Sequence, residues 1–434
     1  MYPSMMQTLL NTVRLGQVRR RPVLQPRYLS LVDFGSYHIK TAVVRREEAG
    51  VRILGYGIVP ARGCGLRSGR NSLAALVEVT DQALMAAEDQ TASDNRGKIV
   101  PDDAVFGVPT CLTRGQLFSV RQTRPDLSVP VAAREVKNLW ERAERMAREQ
   151  LSRRGKEGEG GAWRPLALTP GVMLLDGHQV TDPVGMRGRV LALSVFGVAV
   201  RPSVLRTIEE IARRLEVGLV DVVAGVQSLA ALVPQRDAIL VDVGYQGTSL
   251  CLIRSGSLVA TRWWAQGGHF FTEALARAFR CAPEDAEGLK RAYAQRSLSS
   301  SDEQLVARAL AAPLSAWFES LIDELANMAE ATEVAHQVPT LEYDMDDTLP
   351  YQHDNALPSH IYLTGGGSWL PGLSTTLASI EGVPSLKFRR ALEVEALGHC
   401  LGMHLPGRPL LLDVPAYPLS DLIATTLSLV TCVG

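Results

Sequence analysis

The chain has 434 residues, 46% of them hydrophobic and 21% charged, with a formal net charge of −1. Such a length exceeds one ordinary core, so two or more domains are expected. The near-neutral charge excludes a nucleic-acid binder held by bulk electrostatics, and no 18 consecutive apolar residues occur to suggest a transmembrane helix.

The N-terminal segment, residues 1–27, places Tyr2, Met5, Met6, Leu9, Leu10 and Val13 at helical intervals, with Arg14 and Arg19 to Arg21 following. It reads as an amphipathic basic helix, suited to an anionic membrane surface or to docking on a neighbouring domain, or else as a disordered tail. From Leu29 an apolar run ends in Asp33-Phe34-Gly35-Ser36 and returns to apolar character after Lys40. This is the pattern of a buried strand, a tight turn and a second strand. Val51 to Val59 predicts a further strand, Ala74 to Ala87 a helix, and Ala104 to Val108 a short buried strand. Residues 112–216 read as an inserted α+β block, with a charged helix over Val131 to Leu151 and a Gly-rich loop over 153–161. The same block continues with a strand over Val190 to Val200 and a helix over Ser203 to Arg214.

The first pattern then returns. Ala238 to Val241 leads into Asp242-Val243-Gly244, with Gly247 and Thr248 following. A strand is expected over Ser257 to Trp264, helices over Phe270 to Phe279 and Ala282 to Tyr293, and two more over Glu303 to Ala311 and Pro313 to Thr332. Pro313 is read as a kink or restart. Residues 338–358 are acidic and Pro-containing, hence a loop. Ile361 to Thr364 is a strand running into Gly365-Gly366-Gly367-Ser368 and a helix opening near Leu373, a geometry that presses backbone N–H groups against a ligand. The six cysteines (Cys64, Cys111, Cys251, Cys281, Cys400 and Cys432) are scattered without a C-x-x-C pair. That points to a reducing cytosol and away from a disulfide framework or a zinc site.

A carboxylate at the end of a strand can hold a hydrated Mg²⁺, and a glycine turn lets backbone N–H groups reach phosphate oxygens. The two Asp-x-Gly hairpins and the glycine turn, in this order, resemble the actin superfamily of ATPases. The residues between them are similar to the FtsA family of bacterial cell-division proteins. Gly65-Leu66-Arg67-Ser68-Gly69-Arg70 resembles that family's small-residue turn, Ala286-Glu287-Gly288-Leu289-Lys290 its A-E-x-x-K, and Asp176 to Gly188, with Asp182-Pro183-Val184-Gly185-Met186, its inserted subdomain. The likeness runs from about Leu29 to Phe388.

The resemblance implies an α/β, two-lobed actin-like ATPase fold with a small inserted subdomain. Its divisions would be 28–111 for the first lobe, 112–216 for the insert and 217–235 for the return to the first lobe. The second lobe would span 236–400, with a helical part at about 269–345, and 401–434 would be a tail. It also implies ATP and Mg²⁺ as cofactors. Asp33 and Asp242 would hold the metal through water and position an attacking water, which Gln227 would orient. Gly35, Ser36 and Lys40 would contact the phosphates from one side; Gly244, Gly247, Thr248, Gly267 and Gly268 would do so from the other. Glu287 and Lys290 would reach the ribose and base, and Gly365, Gly366, Gly367 and Ser368 would support the adenosine. Tyr245 and Gln246, bulky for a phosphate hairpin, predict slow hydrolysis or binding alone.

The implied role is an ATP-binding scaffold that polymerises at the inner membrane face in cell division. Its partners would be copies of itself and the tubulin-like division protein FtsZ or other division or pilus proteins, with peripheral membrane contact and no nucleic acid. A different reading is an adaptor resembling the pilus-assembly protein PilM, which binds a peptide of a membrane partner. A third, a small-molecule kinase of the same superfamily, lacks a clear catalytic base and sugar pocket.

Overall fold

Strands that lie in the middle of a covered sheet must be apolar on both faces, and two segments meet that demand almost without exception. In β1 (Tyr28–Phe34) only Tyr28 and Asp33 escape full burial; in β10 (Ala238–Val243) only Asp242 does. The computed structural model describes residues 27–47, 50–61, 63–66, 73–94, 97–153, 163–336 and 356–397. The expected N-terminal helix, residues 67–70 of the small-residue turn, most of the 338–358 loop, most of the Gly-rich loop and the 401–434 tail lie outside these described residues.

In chain order, β1 is followed by β2 (His38–Glu47), β3 (Gly50–Pro60), helix α1 (Leu73–Asp89) and β4 (Asp103–Val108). Next come β5 (Thr113–Thr123), α2 (Ala133–Arg153), β6 (Arg164–Leu175), β7 (His178–Val180) and β8 (Val190–Val200). Helix α3 (Pro202–Arg214), β9 (Gly218–Ala224) and α4 (Gly225–Ala230) precede β10. Then follow β11 (Thr248–Arg254), β12 (Ser257–Trp264), α5 (Gly268–Phe279), α6 (Pro283–Ala294) and α7 (Ser300–His336). The described chain finishes with β13 (His360–Thr364), α8 (Leu373–Ala378) and β14 (Glu393–Ala396).

Two five-stranded sheets repeat one plan. The first has the order β3-β2-β1-β4-β9 and the second β12-β11-β10-β13-β14. In each, two antiparallel hairpins are followed by two parallel additions. The registers correspond: Asp33 lies opposite Lys40 and beside Gly107, and Asp242 lies opposite Ser249 and beside Thr364. This duplicated α/β architecture is the two-lobed plan of actin-like proteins.

A third sheet, β5-β8-β6-β7, is antiparallel throughout and is inserted between β4 and α3. Helix α2 packs Leu139, Trp140, Ala143 and Ala147 on one of its faces. The other face adds Leu117, Phe196 and Val198 to the core of the second lobe, so the insert joins the two lobes. The expected 112–216 block divides here. Val204, Ile208 and Ile211 of α3 pack with Leu76, Leu84 and Phe106 in the first lobe, which leaves Thr113–Val200 as the inserted part.

Pro313 does not restart a helix, because Ser300–His336 runs as one helix with Pro313 inside it. The missing N–H costs a hydrogen bond, and the burial of Val306, Leu310, Trp317, Leu321, Leu325 and Met328 along one face offsets it. Over Ser300–Glu330 this helix is long and apolar enough to cross a bilayer, but that stripe packs into the second lobe's core.

Candidate functional site

Because the two sheets share a register, their Asp-bearing strand ends open on the same space. A cavity of about 560 Å³ lies between the lobes, lined by Asp33, Lys40, Asp242, Ser249, Glu287 and the Gly365–Gly367 turn among others. Lys40 sits directly across the hairpin from Asp33. Its Nζ is 3.4 Å from Asp33 Oδ2, with both side chains less than a quarter exposed. Opposed residues of a strand pair project to one face, which is why pairing alone puts this lysine in the cleft.

The same rule separates Ser249 from Thr248. With a four-residue tip of Gly244 to Gly247, Asp242 faces Ser249 and Val243 faces Thr248. Ser249 therefore lines the cavity, while Thr248 is fully buried. The Thr248 hydroxyl donates to Gln266 O at 2.6 Å and accepts from Trp317 Nε1 at 2.9 Å. The hydroxyl assigned to phosphate from sequence is thus committed to the core.

Gly365 closes the floor beneath Asp242. Its φ of 85° and ψ of 154° belong to a region that is essentially glycine's alone. A Cβ there would run into Asp242 Oδ1 and the Val243 carbonyl. Gly267 plays the matching part for the second hairpin, since a Cβ would meet Gly244 O and Gly247 N. The first amides of α5 then dock on that tip. Gly268 N donates to Gly244 O and His269 N to Tyr245 O, both at 2.8 Å.

Glu287 and Lys290 line the cavity, but they are tied to each other. Lys290 Nζ donates to Gly268 O at 2.8 Å, Thr272 Oγ1 at 2.8 Å and Glu287 Oε2 at 2.7 Å, which accounts for all three of its N–H bonds. Arg291 Nε donates to Glu287 Oε1 at 3.1 Å. Burial works to raise the Glu287 carboxyl, yet the Lys290 charge and the hydrogen bonds from Lys290 and Thr272 hold it below its ordinary value. The structure thus gives this pair an internal anchoring role alongside its place on the cavity wall.

Of the other expected residues, Gly35, Ser36, Gly244, Gly247, Gly268, Gly366 and Gly367 line the cavity, whereas Gln227, Gly267 and Ser368 do not. Gln227 is nearly buried, and its amide donates to Thr169 of the insert at 2.8 Å. Ser368 turns its hydroxyl back to Gly365 O at 2.6 Å. Tyr37, His38 and Arg291, to which the sequence assigns no role, and Trp263, which it places only in a strand as one of a buried-and-surface pair with Trp264, also line the cavity. Arg291 follows Lys290 directly and could have been found as the next cation on that helix. Tyr37 and His38 could have been found by completing the four-residue tip.

His38 carries a consequence that pH can reveal. Burial, then the charges of Arg291 and Lys40, lower its pKa from 6.5 to about 4. An unfolded chain takes up this proton near pH 6.5 and the folded protein only near 4. The contribution is therefore complete above pH 6.5 and is lost as pH falls toward 4. Urea midpoints measured from pH 7 to pH 4 are expected to fall less steeply in His38→Gln than in the wild type; parallel slopes would rule this out.

No family model matches the chain. The cell-division protein FtsA of Agrobacterium fabrum is 28% identical over 214 residues, 48% of this chain and 48% of that relative. The chain thus matches about half the length of that protein. FtsA of Bacillus subtilis is 24% identical over 365 residues, covering 80% of this chain and 74% of the relative. Among solved structures, the PilM-PilN type IV pilus biogenesis complex aligns with a TM-score of 0.56 at 18% identity, over 94% of this chain and 98% of that one. The chain is therefore similar in sequence to the FtsA cell-division proteins, and its fold is the two-lobed actin-like fold.

Proposed function

We propose that this chain is an ATP-binding, FtsA-like scaffold protein that assembles with copies of itself at the inner face of the membrane in bacterial cell division. The observation that carries the reading is the pair of carboxylates, Asp33 and Asp242. They end equivalent strands of two like-built sheets and open on one cavity. Among the described residues no three His, Cys, Asp or Glu side chains converge on a metal position. A cation here would rest on two carboxylates and on oxygens brought by its ligand, which is how Mg²⁺ is commonly held beside phosphates. The residues fit Mg-ATP in that sense. Asp33 and Asp242 would hold the ion, Lys40 would face the phosphates, and the Gly365–Gly367 turn would lie under the nucleoside. When bound, Mg-ATP would supply a phosphoanhydride whose charge these groups neutralise.

Partners in this reading are further copies of the chain and the tubulin-like protein FtsZ, with peripheral contact to the membrane. The test is calorimetry with Mg-ATP. Asp33→Ala is expected to weaken binding at least about a hundredfold, and undiminished affinity would sink the proposal. Sedimentation with ATP and lipid vesicles then tests assembly and attachment together. The PilM-like adaptor reading draws on the crowding of the second hairpin tip by Tyr245 and Gln246 and on the fold likeness to PilM. Capture of a pilus membrane protein in place of FtsZ would favour it.

A further inference from the structure

The tips of the two hairpins, some 210 residues apart in the chain, touch across the cleft. Gln246 N of the second tip donates to Ser36 Oγ of the first at 3.2 Å. The rings of Tyr37 and Tyr245 lie with centroids 4.5 Å apart. Arg291, on α6 of the second lobe, stands 5.0 Å over the Tyr37 ring and is held in place by its ion pair with Glu287. On the far side Tyr245 rests against His269 at 5.0 Å. Each lobe thus contributes a ring, and the second also contributes a cation.

We propose that Tyr37, Tyr245 and Arg291 form a latch that holds the two lobes together at the hairpin tips and sets the rate at which ligand reaches the cavity. An aromatic pair and a cation over a ring each add a modest attraction beyond buried area. That is enough to bias a two-state opening about tenfold, and too little to lock it. The insert also ties the lobes through Leu117, Phe196 and Val198, and the tips make a second contact between them. Both rings line the cavity that also holds Asp33 and Asp242, so the contact stands at the wall of the proposed phosphate site. The inference rests on the cleft being the nucleotide site.

The test uses the full chain as wild type, Tyr37→Ser, Tyr245→Ser and Tyr245→Phe, with two readouts. Amide exchange at residues 34–38 and 244–247, without nucleotide added, reports the contact itself. Stopped-flow association of a fluorescent ATP analogue reports access. Either serine variant is expected to raise exchange at the opposite tip and to speed association, each about tenfold, while Tyr245→Phe stays near the wild type. Unchanged exchange at the opposite tip in both serine variants, with the analogue still binding at wild-type rates, would overturn the latch and leave the nucleotide reading intact. Faster exchange in chains that bind no analogue would uphold the contact and defeat the nucleotide reading. Amide protection of the β5–β8 insert serves as the internal check that each variant remains folded.

Discussion

Replacing Gly365 by alanine is expected to lower stability by roughly 2–5 kcal/mol and to weaken Mg-ATP binding with it. Two costs add at this position. The backbone conformation, with φ at 85° and ψ at 154°, is one that a Cβ disfavours. The new methyl would also meet Asp242 Oδ1 and the carbonyl of Val243; the carboxylate can rotate, but the carbonyl is backbone and moves only with β10, which pairs with β13. The neighbouring glycines supply a graded comparison. A Cβ at Gly367 meets the Val243 side chain and carbonyl, while at Gly366 it meets nothing within 4 Å. Urea denaturation should therefore rank Gly365→Ala as most damaging, Gly367→Ala next, and Gly366→Ala near the wild type. Equal midpoints for Gly365→Ala and Gly366→Ala would show that the turn tolerates a side chain. Damage at Gly366 alone would put the close approach to Asp242 at the wrong glycine.

How much of this could be read from the chain depends on where the determining contacts lie. The hairpins at Asp33 and Asp242, the helices over Gly268–Phe279 and Pro283–Ala294, and the strand before Gly365 are written in local apolar runs and glycines. They were legible for that reason. Strand β6 was not, because Pro165, Pro170 and Gly171 give it the texture of a loop. The register shifts between Pro165 and Ala167 and between Pro170 and Met173 show how the sheet absorbs them. Helix α3 is legible as a helix, but the unit it joins is not, since only tertiary packing against Leu76 and Phe106 ties it to the first lobe. The continuity of α7 through Pro313 likewise depends on burial that no local signal shows. In the site, the pairing of Lys40 with Asp33 follows from counting along one hairpin. The meeting of Tyr37 and Tyr245 does not, because it joins two hairpins through the whole intervening fold.

Thr248 and Ser249 offer the sharpest contrast, and the expected results are opposite. Thr248→Val keeps the shape but leaves Trp317 Nε1 without an acceptor and Gln266 O without a donor. The indole N–H is then stranded in the core and the part-buried carbonyl loses its donor, at about 1–3 kcal/mol of stability. Trp317→Ala removes the ring that lies 6.3 Å from Trp264 and opens a cavity at a fully buried position, costing about 3–5 kcal/mol. Because the two residues share one hydrogen bond, the costs of Thr248→Val and Trp317→Phe should sum to more than the double variant loses. Mg-ATP affinity, by contrast, should be nearly unmoved in Thr248→Val at temperatures where it stays folded. Ser249→Ala should do the reverse, with urea midpoints close to the wild type and weaker binding by calorimetry, since this hydroxyl faces the cavity beside Asp242. Loss of binding in Thr248→Val at full stability would return the phosphate contact to Thr248 and contradict the pairing of the second hairpin. The expected outcome assigns the threonine to folding and the serine to the ligand, a division set by which face of one strand each side chain takes.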